Sequence, residues 1–293
     1  GRNFETKTYE KEIMDLSFQR LSNAIQDFIN ETNFKRFVMI VKSAGFISKG
    51  MISSKNVLNF AYVLYLKLKR LKISSTRIEK YVKRWLVMTL LTNRYSSSSE
   101  SVFDADIKGL SASGIEKYLK DIEDAQLSDT FWNVELIQKL NKSLISSSEL
   151  QVFFASQVRS GIKGFLSRDI TVSGLILHRG DVHHIFPKEY LKTKYPLRWD
   201  YNQIANFVYA QSEINIKIGK KSPKEYFKDV IKQTSGGKLK YGGITDRKEL
   251  EKNLRDHCIP DEISKMDIND FENFLDLRKK LIAARIRRYY KNL

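Results

Sequence analysis

The chain has 293 residues, 42% of them apolar, which excludes wholesale disorder and is enough for a sizeable hydrophobic core. Its 51 Lys and Arg against 34 Asp and Glu give a formal charge of +17, which points to polyanionic partners: DNA, RNA or an anionic membrane surface. A single cysteine, Cys258, excludes an intrachain disulfide and a Cys-rich zinc site, so any metal must be held by His, Asp, Glu or Asn.

The opening "GRNFETKTYEKE" has no initiator Met, which makes a fragment of a longer protein one reading of the chain. It also lacks the charged, apolar and small-residue order of an export leader. The apolar stretch "VLNFAYVLYLKLKRL" is broken by lysines before it reaches the ~18 residues of a membrane span. A cytoplasmic location is the expectation.

Residues 1–165 read as a helical domain. "SSKNVLNFAYVLYLKLKRLKI" (53–73) has apolar residues at helical spacing with basic residues between them. Capping-box spacing then marks helix starts at Thr76 with Glu79, Ser113 with Glu116, and Ser146 with Glu149. "RYSSSSES" (94–101) is a polar loop. The character changes after Gly164. "DITVSGLILH" (169–178) is β-branched and alternating and reads as a strand, with "RGD" as the turn behind it. "VHHIF" continues in strand-like fashion to Pro187, and a short helix follows in "PKEYLKTKY". "IANFVYA" (204–210) reads as the next strand. Ser212 then looks like the cap of "EINIKIG", and Ser222, Pro223 and Glu225 open a further helix. The C-terminal segment, residues 236–293, is helical and ends in "FENFLDLRKKLIAARIRRYYKNL". The fold expected is mainly α, with a small strand–strand–helix unit embedded at 166–235.

Two of the four histidines sit together in "DVHHIFPKEYL". Cutting a phosphodiester requires a deprotonated water, a stabilised phosphorane and a neutralised leaving 3′ oxygen. Histidine suits the first task and a divalent cation the other two. Adjacent strand residues point to opposite faces, so one short strand can present both a base and a ligand. His178 and His257 lie outside this stretch and are read as structural.

"HHIFP" followed by "IANFVYAQSEINIKIGKKSP" resembles the HNH, or ββα-metal, nuclease unit, and most closely the C-terminal part of GmrSD-like, modification-dependent (type IV) restriction proteins. The specific signal covers about 181–227, with weaker likeness in "RYSSSSES", "IPDEI" and "FLDLRKKLIAARI". The family pattern is met by His184, Asn206 and Asn215, with separations of 22 and 9 residues. The resemblance implies His184 as the general base and His183 and Asn215 as metal ligands. Asn206 would hold the histidine-bearing loop by hydrogen bonds. His183 departs from the commoner Asp, so Mn²⁺ or Ni²⁺ would serve as well as Mg²⁺. Asp181 shares a strand face with His183, as a further ligand or as a partner of its ring.

Lys217, Lys220, Lys221 and Lys224 surround the Asn215 helix and could meet backbone phosphates of double-stranded DNA. From Arg278 to Lys291 there are seven Lys or Arg and no acid, with Arg285, Arg287 and Arg288 interleaved with tyrosines. The resemblance implies a metal-dependent DNA endonuclease leaving a 3′-OH and a 5′-phosphate, acting against modified phage DNA. It also implies an upstream nucleotide-hydrolysing domain, and no P-loop occurs in this chain. A double-strand cut by a one-site enzyme would imply a homodimer. The alternative from another class is a basic, helical DNA-binding module with an inactive nuclease unit, and an RNA-directed nuclease stays open.

Overall fold

Apolar residues recurring every three or four positions produce helices along most of the chain. The computed structural model describes residues 1–3, 5–97, 99–178 and 180–293. Phe4, Ser98 of the expected polar loop and Arg179 of the expected RGD turn lie outside the described residues. The first part contains α1 (Lys11–Ile29), α2 (Glu31–Ser43), α3 (Lys55–Arg70), α4 (Ser75–Thr92) and α5 (Ser99–Gln126). A π-turn at Phe131–Glu135 leads into α6 (Leu136–Lys139), and α7 (Ser148–Arg159) follows. Then come α8 (Val172–Leu177), β1 (Asp181–His184), α9 (Lys188–Leu191), α10 (Arg198–Tyr201), β2 (Phe207–Ala210) and α11 (Ser212–Ile218). The chain closes with α12 (Pro223–Gln233), α13 (Arg247–Asp256) and α14 (Phe271–Lys291). The protein is thus mainly helical, with one two-stranded antiparallel sheet among the described residues. No described helix is long and apolar enough to cross a membrane.

Several local expectations are corrected. "DITVSGLILH" is not a strand: Thr171 caps α8 by accepting the Gly174 N–H, and Val172 and Leu175, three residues apart, bury one helical face. The second strand is shorter than "IANFVYA", because Ile204–Asn206 form a 3-10 turn before β2. Serine runs shift the caps. Ser74 precedes α4, and Glu79 pairs with Lys83 instead of closing a box with Thr76. Ser147, not Ser146, precedes α7, and Gln211, not Ser212, precedes α11. Ser113 donates to the Gly109 carbonyl, while α5 bends at Gly114, whose φ of 75° is open to glycine. The box at Ser222 and Glu225 is present, with Pro223 at the first helical position.

Two hydrophobic cores meet at the sheet. The first packs α3, α4 and α7 around Trp85, Phe153 and Phe154. It closes over a buried carboxylate, Asp106, which accepts from Arg94 and from the hydroxyls of Tyr95 and Tyr118, both at 2.8 Å. The second gathers Phe165, Phe186, Tyr226, Phe227 and Tyr241 around α11 and α12. Helix α14 serves both: Phe271 and Phe274 enter the second core, Ile282, Ile286 and Tyr290 the first.

Arg278, on α14 where the cores meet, is fully buried. Its guanidinium donates to Ala205 O at 2.7 Å, to Phe207 O at 3.0 Å and to His257 O at 3.1 Å. The sequence count of basic residues on the last helix therefore includes one that faces inward. Replacing Arg278 by Met leaves three buried carbonyls without donors, at about 1–3 kcal/mol each. We expect Arg278→Met to lower the urea midpoint by the equivalent of about 3–5 kcal/mol, with no rescue in Arg278→Lys, whose single ammonium cannot span the three acceptors.

Candidate functional site

β1 and β2 pair in the register Asp181 with Ala210, Val182 with Tyr209, His183 with Val208 and His184 with Phe207. The pleat divides these pairs between the cores. Phe207, with Val182 and Tyr209 beside it, belongs to the first core, whereas Val208 and Ala210 join Ile214 and Ile218 of α11 in the second. Asp181 and His183 therefore share the face that α11 covers, and His184 takes the other.

His184 is half-buried. It stands edge-on to Phe207, with ring centroids 5.0 Å apart, and its Nε2 lies 2.8 Å from Asn202 Oδ1. An amide oxygen only accepts, so Nε2 carries the proton and Nδ1 keeps the lone pair of the neutral ring. Burial pushes the His184 pKa down from its ordinary value; the bond to Asn202 opposes this, and the charge of Lys188 adds to it. His183 is also pushed down by burial, against the pull of Asp181. Its Nε2 is buried and has no hydrogen-bond partner. A buried imidazole nitrogen without a partner costs free energy unless something binds it.

Asn206 is fully buried and fastens the histidine-bearing segment. Its Oδ1 accepts the Phe186 N–H at 2.8 Å, and its Nδ2 donates to Phe186 O at 3.0 Å. Its own carbonyl accepts the Ile185 N–H at 2.9 Å. The Tyr226 hydroxyl donates to Ile185 O at 3.0 Å, so the backbone leaving β1 is paired on both sides. Sequence reasoning missed Asn202 and Tyr226. Asn202 lies in a stretch without periodicity, and nothing in its neighbours announces a partner for a ring 18 residues earlier. Asn215 is half-buried on α11, beside Ile214. Asp181 is exposed at the start of β1. Among the described residues no three of His, Cys, Asp and Glu are grouped to hold a metal. The set expected from sequence has two such residues, Asp181 and His183, and draws its third group from the Asn215 amide.

Of the basic residues, Lys217, Lys220 and Lys224 are exposed around α11. Lys221 is engaged, donating to Tyr241 Oη at 2.9 Å. Arg287 pairs with Asp129, and half-buried Arg285 donates to Ser156 Oγ at 2.9 Å, whereas Arg288 is exposed. A cleft of about 750 Å³ beside α14 is lined by Arg159, Arg255, Arg285 and Arg288 against Asp256 and Asp261. A second, of about 730 Å³, shares Arg288 and adds Lys280, Arg287 and Lys291 next to Trp132.

No family model matches the chain, and no solved structure matches it. An uncharacterized protein of Methanocaldococcus jannaschii is 27% identical over 220 residues, covering 70% of this chain and 36% of that relative. The chain thus spans well under half the length of the relative it resembles.

Two measurements check this geometry. Asn206→Ala strands the Phe186 N–H and C=O, and we expect a loss of about 2–4 kcal/mol in chemical denaturation. Asn206→Asp should not restore it, because a carboxylate cannot donate to Phe186 O. The folded pKa values of His183 and His184 lie below the ordinary 6.5. Both rings are therefore neutral at pH 7 and gain protons only as the pH falls through the lowered values. NMR titration of the metal-free protein should show this, with the His184 midpoint moving further down in Asn202→Ala.

Proposed function

We propose that this chain is a metal-dependent DNA endonuclease of the HNH type, cutting phosphodiesters to leave a 3′-OH and a 5′-phosphate. The observation that carries the reading is the pair of adjacent imidazoles on β1, which the sheet turns to opposite faces. One is tethered through Nε2 so that Nδ1 can accept a proton, and the other holds a buried Nε2 without a partner. That partnerless nitrogen fits a cation ligand, since the chemistry of the site offers imidazole, carboxylate and amide donors within one short unit.

His184 takes a proton from water as the water oxygen forms its bond to phosphorus. The bond from phosphorus to the 3′ oxygen breaks, and that oxygen leaves to be protonated as the 3′-OH. Asn202 keeps the tautomer and orientation of His184, and Asn206 with Tyr226 keeps the segment beyond it from shifting. Asp181, His183 and Asn215 would hold a divalent cation, Mg²⁺, Mn²⁺ or Ni²⁺, which supplies positive charge against the phosphorane and the leaving oxygen. The clefts beside α14 and the lysines around α11 offer positive charge to backbone phosphates. A role as the effector part of a modification-sensing restriction protein rests on the sequence resemblance alone.

Supercoiled-plasmid nicking tests the proposal. Nicking is expected with Mg²⁺ or Mn²⁺, to be abolished by EDTA, and to fall by about 10²–10⁴-fold in His184→Ala. DNA binding by that variant should persist and weaken steeply with salt. Binding without cutting by any of these metals would instead mark the chain as a DNA-binding module with an inactive nuclease unit.

A further inference from the structure

Helix α1 contributes no buried residue to either core, although it is 19 residues long and amphipathic. It is attached mainly at its C-terminal end. There the Tyr62 hydroxyl donates to Phe28 O at 2.9 Å, Arg70 pairs with Asp27, and the rings of Phe28 and Tyr62 lie 5.0 Å apart. Along its exposed side run Met14, Phe18, Leu21, Ile25 and Phe28, which are 51%, 72%, 59%, 49% and 45% exposed. Their spacing alternates four, three, four, three. That is a period of 3.5, the repeat of a helix that winds around a second helix.

We propose that α1 is a dimerisation element and that its seam is covered by the α1 of a second copy of this chain. Three observations select that occupant. Ser17, Ser22 and Ala24 border the seam, leaving room for a second helix to approach closely. The helix carries only Lys11 and Arg20 against Glu12, Asp15 and Asp27, a balance that offers little attraction to DNA or an anionic membrane as the occupant. The area is sufficient. At roughly 200 Å² for each large side chain, the exposed fractions amount to on the order of 550 Å² per chain. Pairing two chains then buries about 1,100 Å², the size at which specific dimers begin. The pairing does not depend on the nuclease reading. Where that reading holds, it places two one-site centres in one particle, as a cut in both strands requires.

Sedimentation equilibrium on the full chain tests the proposal. The unmodified chain and Leu16→Glu, which alters an exposed residue off the seam, should sediment as dimers. Phe18→Lys combined with Leu21→Glu should weaken association by about 100-fold or more, with far-UV circular dichroism little changed. A monomeric unmodified chain at every concentration overturns the proposal, whether the seam then turns out to bind vesicles or another segment of a longer chain. A dimer retained in the seam variant overturns it too. A second readout does not rely on charge insertion. Leu21 is the middle residue of the seam and meets its own copy in a parallel or an antiparallel pair. Because Cys258 is buried, mild oxidation should link Leu21→Cys chains and leave Leu16→Cys chains unlinked; the reverse pattern, or no link at either position, overturns the pairing.

Discussion

Everything around the sheet depends on one buried cation. The Arg278 guanidinium sits where α14 crosses the two cores, and it is solvated by backbone carbonyls in place of water. Two of these belong to the segment entering β2 and the third to His257, just after α13. Burial pushes the group down to about 9, which still leaves it charged at neutral pH. A charge removed from water needs its hydrogen bonds, so the carbonyls of Ala205, Phe207 and His257 must all stay in place. His257 is itself fixed, its Nε2 2.8 Å from Lys163 O, with burial pushing its pKa down to about 3. The backbone of residues 205–207 is therefore held from behind by Arg278 and in front by the bonds of Asn206 to Phe186.

This arrangement explains which parts of the fold were legible in the sequence. Long helices such as α3, and the box at Ser222, follow from spacing and cap chemistry that act within a few residues. The reading of "DITVSGLILH" as a strand failed because alternation over a short apolar stretch also fits a helix, and Thr171, bridged to Lys163, caps one there. Helix starts slip by one or two residues in these polar stretches because Ser74, Ser147 and Gln211 make no side-chain capping bond, so no cap chemistry marks the position. In the candidate site, His183, His184, Asn206 and Asn215 are singled out by a resemblance in their order, not by periodicity. Asn202, Tyr226 and Arg278 match no such pattern, and each acts on a backbone or ring 18 or more residues away, as Asn206 does on Phe186. The excess of positive charge was legible as a sum, not as a surface. Arg278 is consumed inside, Arg287 by Asp129 and Lys221 by Tyr241, while Arg288 and its neighbours face the clefts beside α14.

The sheet has only four residues in each strand, yet it gives two adjacent histidines different surroundings. The face of His184 is lined by Phe207 and belongs to the first core. The face of His183 is closed by α11 and belongs to the second. A rigid wall between two cores holds each ring without a dedicated scaffold for either.

The sharing of α14 between the cores also governs when the chain can fold during its own synthesis. Trp85, Phe153 and Phe154 are made early, but Ile282, Ile286 and Tyr290, which complete their core, are among the last residues described. At translation speeds of about 5–20 residues per second, the stretch from Ala155 to Ile282 takes roughly 6–25 s to emerge. Throughout that interval the apolar faces of α3, α4 and α7 lack their final cover. The first core, and the guanidinium bonds of Arg278 to the segment entering β2, are complete only once the last helix has docked.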